Sequence, residues 1–270
     1  MQSFHEKLRC SWQKSGSLLC VGIDPDLERL PRGLAAAKKP FLDFGRAIVE
    51  ATAPYVCAFK PQAAHFAAVG KENELAELIA FAKAHFPDIP VILDAKRGDV
   101  GSTARLYARE AFERYNADAV TVSPYLGKDS LEPYFAFRER GIVVLCRTSN
   151  PGSNWLQNRT EDGQPTYLRV AEKVREWDTA EQCMLVTGAT YPDELAKVRA
   201  VVGSLPLLVP GIGAQGGSIQ QVLKSGLDSD GVGLVISSSR AIIFADSGPE
   251  YANAAASAAH LAMQEINKYR

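Results

Sequence analysis

Residues 91–100 read VILDAKRGDV, and the other segments of the chain can be interpreted around this one. Three apolar residues follow a proline, which is typical of a short buried β-strand. Because side chains alternate along a strand, Asp94 and Lys96 are expected side by side on one face at its carboxyl end, with Asp99 in the glycine-flanked turn that follows. Buried charges are costly, and clusters of them concentrate at active sites. The segment therefore predicts a catalytic centre, with a purely structural salt bridge as the alternative.

Seven further apolar runs are each followed by a pattern of helical period. Strands that alternate with helices pair in parallel through right-handed crossovers. Eight such units in 270 residues predict the α/β class and a closed (β/α)8 TIM barrel, as a single domain over 1–270. An open doubly wound sheet fits the periodicity as well. The other predicted strands are Ser17–Asp24, Tyr55–Pro61, Asp118–Ser123, Gly141–Arg147, Cys183–Thr187, Leu207–Val209 and Gly231–Ser237.

Composition excludes several classes of protein. A formal net charge of −1 gives no reason to expect nucleic acid or an acidic membrane surface as a partner. No apolar run approaches the roughly 18 residues that cross a bilayer, and the polar N-terminus does not resemble a signal peptide. Five cysteines without a Cys-x-x-Cys pair argue against a disulfide framework and a zinc site. We therefore expect a cytoplasmic protein without a metal.

Polar residues end six of the predicted strands. Any one of these could open a turn, reach to water or cap a helix. In a barrel, however, the chemistry lies where the strands end, so six polar ends at one mouth predict a functional site. The segments are Gly22–Asp26, Phe59–Gln62, Asp94–Lys96, Thr148–Gly152, Pro210–Gly217 and Ser237–Arg240.

The last two of these segments predict a phosphate site. A glycine-rich turn before a helix exposes backbone N–H groups at the helix end that favours anions. Arg240 offers a planar donor fork that fits phosphate oxygens. The glycine run alone is a weak signal, but loops after strands seven and eight commonly hold phosphate in barrels.

In combination these motifs resemble those of orotidine 5'-phosphate decarboxylases. The resemblance extends from Asp24 to Arg240, and length points to the longer bacterial type, the type 2 subfamily. Val100 departs mildly from the family, in which Ile is usual at this position. The motifs are Lys60, Asp94-x-Lys96-x-x-Asp99, Ser149-Asn150-Pro151-Gly152, the segment 210–217 and Ser239-Arg240.

The resemblance implies decarboxylation of orotidine 5'-monophosphate to uridine 5'-monophosphate and CO2 in de novo pyrimidine biosynthesis, without a cofactor. The implied catalytic residues are Lys60, Asp94, Lys96 and Asp99, with Lys96 as proton donor. A homodimer is implied as well, in which Asp99 and Thr103 cross the interface into the partner's site. The implied substrate-binding residues are Asp24 for the ribose, Ser149 for the pyrimidine, Gln215 and Arg240 for the phosphate, together with Thr103 and Ser239.

A long connection at about 148–165 follows the fifth strand and is unusual for a barrel. Its stretch from Asn150 to about Gln164 is a candidate lid together with the loop of Gln215. Remote phosphate binding would drive its closure.

Three other functions fit parts of the pattern. The nearest is a Mg²⁺-dependent sugar-phosphate decarboxylase or aldolase-like relative, but such relatives carry an acid at the end of strand two, where this chain has Lys60. A Schiff-base aldolase needs a neutral lysine, which adjacent carboxylates disfavour. A non-catalytic nucleotide-binding protein would not need all four charged residues.

Overall fold

The computed structural model describes residues 2–212 and 217–270. Eight parallel strands form one sheet in which neighbours along the chain are neighbours in space. Isolated bridges join Phe59 to Val91 and Gln62 to Asp94, and so connect the second strand to the third. The predicted (β/α)8 barrel is therefore confirmed. Its strands are β1 Leu19–Ile23, β2 Ala58–Pro61, β3 Ile92–Arg97, β4 Ala119–Val122, β5 Gly141–Arg147, β6 Cys183–Thr187, β7 Leu207–Pro210 and β8 Leu234–Ser238.

Helices follow the strands and pack outside the sheet around one continuous apolar core. The prediction of one helix per strand was too simple, because two helices follow each of β2, β5 and β8. No helix in the described ranges is both long and apolar enough to span a bilayer. The helices are α1 Phe4–Ser15, α2 Pro40–Thr52, α3 Ala63–Ala67, α4 Glu72–His85, α5 Gly101–Arg109, α6 Glu132–Phe135, α7 Asn154–Gln157, α8 Thr166–Trp177, α9 Pro192–Val202, α10 Ile219–Gly226, α11 Arg240–Ile243 and α12 Tyr251–Asn267.

The polar N-terminal segment forms a helix that the hydrophobic pattern did not predict. Ser3 and Glu6 cap α1 reciprocally, which is a capping box. Phe4 and Leu8 are buried, and a Cβ atom on Gly141 would approach the Phe4 ring to 2.5 Å. Since Gly141 opens β5, α1 covers the end of the barrel opposite to the ends of the strands where chemistry is expected.

Strand β3 is irregular at the residues that the sequence singled out. Its register against β4 shifts between Leu93 and Arg97, and Lys96 has a φ of 47°. The backbone N–H groups of Ala95 and Lys96 both donate to Thr121 Oγ1, each at 2.9 Å. A non-glycine residue in the left-handed region costs roughly 1–3 kcal/mol and is often found at functional sites. Regular alternation thus ends at the point where the charged side chains begin.

Candidate active site

A cavity of about 620 Å³ opens at the carboxyl ends of the strands. Seven of the predicted site residues line it: Asp24, Lys60, Asp94, Lys96, Ser149, Ser239 and Arg240. Gln215 lies outside the described residues. Asp99 and Thr103 are not among the lining residues of their own chain's cavity. The strand ends therefore converge as the sequence predicted, with two residues left outside.

Asp94 is the centre of a charge network that comprises Lys60, Asp94, Lys96 and Thr121. Lys60 Nζ donates to Asp94 Oδ2 at 2.9 Å, and Lys96 Nζ donates to Asp94 Oδ1 at 2.7 Å. The hydroxyl of Thr121 donates to Oδ1 at 2.9 Å. Only 8% of the Asp94 side chain and 7% of the Lys60 side chain are exposed. Both carboxylate oxygens are therefore held in fixed directions.

The electrostatics of the network favour the charged form of both buried partners. Burial alone would raise the pKa of Asp94, but Lys60 and then Lys96 outweigh burial and lower this pKa. Burial also opposes the charge of Lys60, yet Asp94 and Asp24 raise the pKa of Lys60 above its ordinary value. Asp94 and Lys60 thus form a persistent ion pair at neutral pH.

Lys96 differs from Lys60 in its access to the cavity. Its side chain is 48% exposed, whereas that of Lys60 is nearly buried. An ammonium group has three N–H donors, and Asp94 is the one acceptor it contacts among the described residues. The bulge in β3 therefore presents a fixed cation, with donors to spare, to whatever occupies the cavity.

Asp24 supplies an acceptor that has no partner. Its Oδ1 atom is buried and makes no hydrogen bond within the described part of the chain. An unsatisfied buried polar group costs about 1–3 kcal/mol. Asp24 also lines the cavity, so its carboxylate can accept a hydrogen bond from a ligand that carries a hydroxyl group.

The ends of β1 and β8 approach each other closely beside Arg240. A Cβ atom on Gly22 would lie 1.8 Å from Ser239 Oγ, so only glycine permits this approach. Arg240 is exposed on the cavity wall and forms no ion pair with another described residue. A cation of this kind suits an anionic ligand, and Pro210, Gly211 and Ile212 of the predicted glycine-rich segment also line the cavity.

The long connection after β5 has two parts. Its first part contains a turn at Pro151–Ser153 and α7, and it contributes residues from Thr148 to Gln157 to the cavity. Its second part is a short antiparallel hairpin of Thr160–Glu161 and Gln164–Pro165, none of which lines the cavity. The connection thus occupies 148–165 between β5 and α8, and only its first part lines the cavity. The lid stays a prediction.

Asp99 immediately precedes the exposed Val100 in the connection between β3 and α5. Its carboxylate accepts a hydrogen bond from the backbone N–H of Val100 at 2.8 Å and makes no contact with Lys96 of the same chain. Thr103 is exposed on α5. Four large apolar side chains near the ends of β3 and β4 are exposed as well: Val100, Leu106, Tyr125 and Leu126.

Sequence reasoning missed several residues of the cavity. Thr121 is the third partner of Asp94, and its signal was a lone hydroxyl in the apolar strand Ala119–Val122. Trp155 lies at the rim with 76% of its surface exposed. Gln62, Asn150, Ser237 and Ser238 also line the cavity; they belong to the predicted strand-end segments, but no individual role was predicted for them. Within the described ranges, no three acidic, histidine or cysteine residues are grouped as metal ligands.

Comparisons with known proteins agree on one family. Residues 17–256 match the Orotidine 5'-phosphate decarboxylase / HUMPS family. The chain is 53% identical over 268 residues to an orotidine 5'-phosphate decarboxylase of Ralstonia pickettii, with 99% of each chain covered. It is 54% identical over 269 residues to one of Cupriavidus taiwanensis, again with 99% of each covered. The solved OMP decarboxylase of Leishmania donovani superimposes with a TM-score of 0.85 at 38% identity, covering 99% of this chain and 98% of that one.

Thr121→Val should lower the free energy of unfolding by about 1–3 kcal/mol, because two backbone N–H groups lose their acceptor and Asp94 loses a donor. Denaturant unfolding of the purified variants measures this change. Thr187→Val is the matched control, since Thr187 Oγ1 is buried at the end of β6 without a partner among the described residues. We expect this control to be as stable as the wild type or more so. Equal losses in both variants would contradict the role given to Thr121.

Proposed function

The chain belongs to the orotidine 5'-phosphate decarboxylase family, and we propose that Lys96 is the proton donor of its reaction. That reaction converts orotidine 5'-monophosphate to uridine 5'-monophosphate and CO2, which makes the chain a carboxy-lyase of pyrimidine biosynthesis. The observation that carries the proposal is the half-exposed Lys96 ammonium, fixed on a buried carboxylate at the floor of the cavity.

Lys96 has the charge and position that the chemistry needs. Loss of CO2 from C6 of the pyrimidine leaves a carbanion that gains little resonance stabilisation. A fixed ammonium beside C6 stabilises this charge as it develops and then delivers the proton. Asp94 determines the location of the ammonium through its 2.7 Å contact with Lys96 Nζ.

Asp94 has a second role in this mechanism. Its carboxylate is kept ionised by Lys60 and Lys96 and so faces the carboxylate of the substrate as a like charge. Like charges that share a buried site repel each other. Departure of CO2 relieves this repulsion, and Lys60 prevents Asp94 from moving away.

Charge alone is too weak to account for the reaction. One charge contact at 4 Å is worth about 4 kcal/mol at an effective dielectric constant of 20. Enzymes lower barriers by roughly 8–23 kcal/mol. Binding of the rest of the nucleotide must therefore contribute. We assign Asp24 and Lys60 to the ribose hydroxyls, Ser149 to the pyrimidine edge, and Arg240 with Gln215 and Ser239 to the phosphate.

We further propose a homodimer in which Asp99 and Thr103 enter the partner's cavity. Asp99 does not line the cavity of its own chain, and the adjacent Val100 and Leu106 of α5 are exposed apolar residues. Burial of these side chains against a second subunit would remove apolar surface from water. A second carboxylate near Lys96 would then come from the partner.

The Mg²⁺-dependent relative remains the alternative function. Lys60 is buried in an ion pair with Asp94, so a cation already occupies the position where such relatives bind the metal through an acid. The full-length match to bacterial relatives supports the longer bacterial type. A single domain, the absence of a cofactor and a cytoplasmic location stay predictions.

Purified protein should consume orotidine 5'-monophosphate in excess chelator, measured as loss of the orotate absorbance. Lys96→Ala should lower kcat by at least about 10²–10⁴-fold, because both the fixed cation and the acid are lost. Lys173→Ala is the matched control, since Lys173 is exposed on α8, pairs with Glu176 and does not line the cavity. Loss of activity in chelator would favour the metal-dependent alternative, and a Lys96→Ala variant of normal rate would exclude Lys96 as the donor.

Mixing two inactive variants tests the shared site. If Asp99 acts across the interface, Asp99→Asn and Lys96→Ala subunits form hybrid dimers with one complete site, and random exchange should recover about one quarter of wild-type activity. A mixture of Lys60→Ala and Lys96→Ala is the control, because both side chains act within one chain and no site becomes complete. Size-exclusion chromatography and mixed-tag capture verify exchange. Exchanged but inactive Asp99→Asn hybrids would refute the assignment across the interface.

A further inference from the structure

Arg147 is a buried cation that the mechanism does not use. It ends β5, its side chain is 0% exposed, and it does not line the cavity. A buried charge without partners would be strongly destabilising. The residues that contact the Arg147 guanidinium therefore indicate its role.

The partners of Arg147 belong to two different connections. Arg147 Nε pairs with Glu194 of α9, and the guanidinium lies 4.0 Å from the centre of the Tyr191 ring. On the other side, Nη1 donates to Ser153 Oγ and Nη2 donates to Asn154 Oδ1 at 2.6 Å. One planar group thus joins the start of α9 to the cavity-lining part of the connection after β5.

The joined segment is the one that carries Ser149. A Cβ atom on Gly188 would lie 2.8 Å from the backbone of Ser149, so the chain directly after β6 packs against this residue. Thr190 Oγ1 donates to the Ser149 carbonyl at 3.4 Å. The register of β5 against β6 shifts between Leu145 and Arg147, and Leu145 lines the cavity whereas Arg147 is buried outside it.

We propose that Arg147, held by Glu194, is a positioning residue that fixes Ser149 against the pyrimidine. This inference rests on the proposed function of Ser149. The planar donor fork reaches Glu194, Ser153 and Asn154 at once, a geometry that the single ammonium of lysine does not reproduce. A displacement of about 1 Å in a positioning group can cost roughly 10²-fold in rate.

Arg199 offers a contrast within the same chain. Its guanidinium is also largely buried, but it donates to backbone carbonyls of Gly226, Leu205 and Gly233, none of which lines the cavity. Arg199 ties parts of the scaffold together, whereas Arg147 binds side chains of the segment that carries Ser149. Arg147 is therefore assigned a positioning role, and Arg199 serves as the structural control.

A double-mutant cycle tests the inference, with kcat/KM for orotidine 5'-monophosphate as the readout. In the wild-type background, Ser149→Ala should lower kcat/KM, and Arg147→Gln should lower it by roughly 10–100-fold. In the Arg147→Gln background, Ser149→Ala should have less than about one third of its wild-type fold effect, because residues that act as a unit are non-additive. In the Arg199→Gln background, Ser149→Ala should keep its full effect. Thermal unfolding followed by circular dichroism identifies a temperature at which every variant is folded, and the kinetics are measured at that temperature.

Glu194→Gln provides a second, milder test if Arg147→Gln does not fold, with the same loss of coupling expected. Equal fold effects of Ser149→Ala in the wild-type, Arg147→Gln and Glu194→Gln backgrounds would overturn the positioning role, as would a Ser149→Ala variant of wild-type efficiency. Absence of decarboxylation by the wild-type protein would instead refute the proposed function, so the two failures are distinguishable.

Discussion

The pairing of Asp94 with two ammonium groups is the constraint on which the rest of the site depends. A carboxylate that is 8% exposed in a barrel interior is stable as an anion only because Lys60 and Lys96 contact its two oxygens. Lys60 is buried and holds the anion in place, whereas Lys96 remains open to the cavity. The same ion network therefore keeps the buried carboxylate charged and presents one ammonium group to the cavity.

Local irregularities in β3 and β5 determine which side chains face the cavity and which are buried outside it. In β3, Lys96 has a left-handed backbone conformation, and the N–H groups of Ala95 and Lys96 both donate to Thr121 Oγ1. These features fix the backbone that carries the ammonium group. In β5, a register shift places Leu145 on the cavity and Arg147 outside it. Two residues of one strand, two positions apart, thus have different surroundings: Leu145 lines the cavity, and Arg147 contacts the connection that follows β5.

The barrel and most of the residues that line its cavity could be predicted from the sequence. The period of the strands and the polar residues at their ends are both local features of the sequence. The predicted bounds of β5 and β6 match the structure, and seven predicted residues line one cavity. The bulge at Lys96 could not be predicted, since it depends on a hydroxyl of the next strand. Helix α1 was not predicted, although Ser3 and Glu6 have the spacing of a capping box. The role of Arg147 depends on Glu194, 47 residues further along the chain, which periodicity does not connect.

The central claim is that the Lys96 ammonium transfers its proton to C6, and hydrogen exchange in the product tests it most directly. By microscopic reversibility, the neutral amine of Lys96 should remove the C6 proton of bound uridine 5'-monophosphate in D2O. The account predicts deuterium at C6 by NMR with the wild-type protein and none with Lys96→Ala, under conditions where both bind the nucleotide. Exchange by Lys96→Ala at the wild-type rate would contradict it.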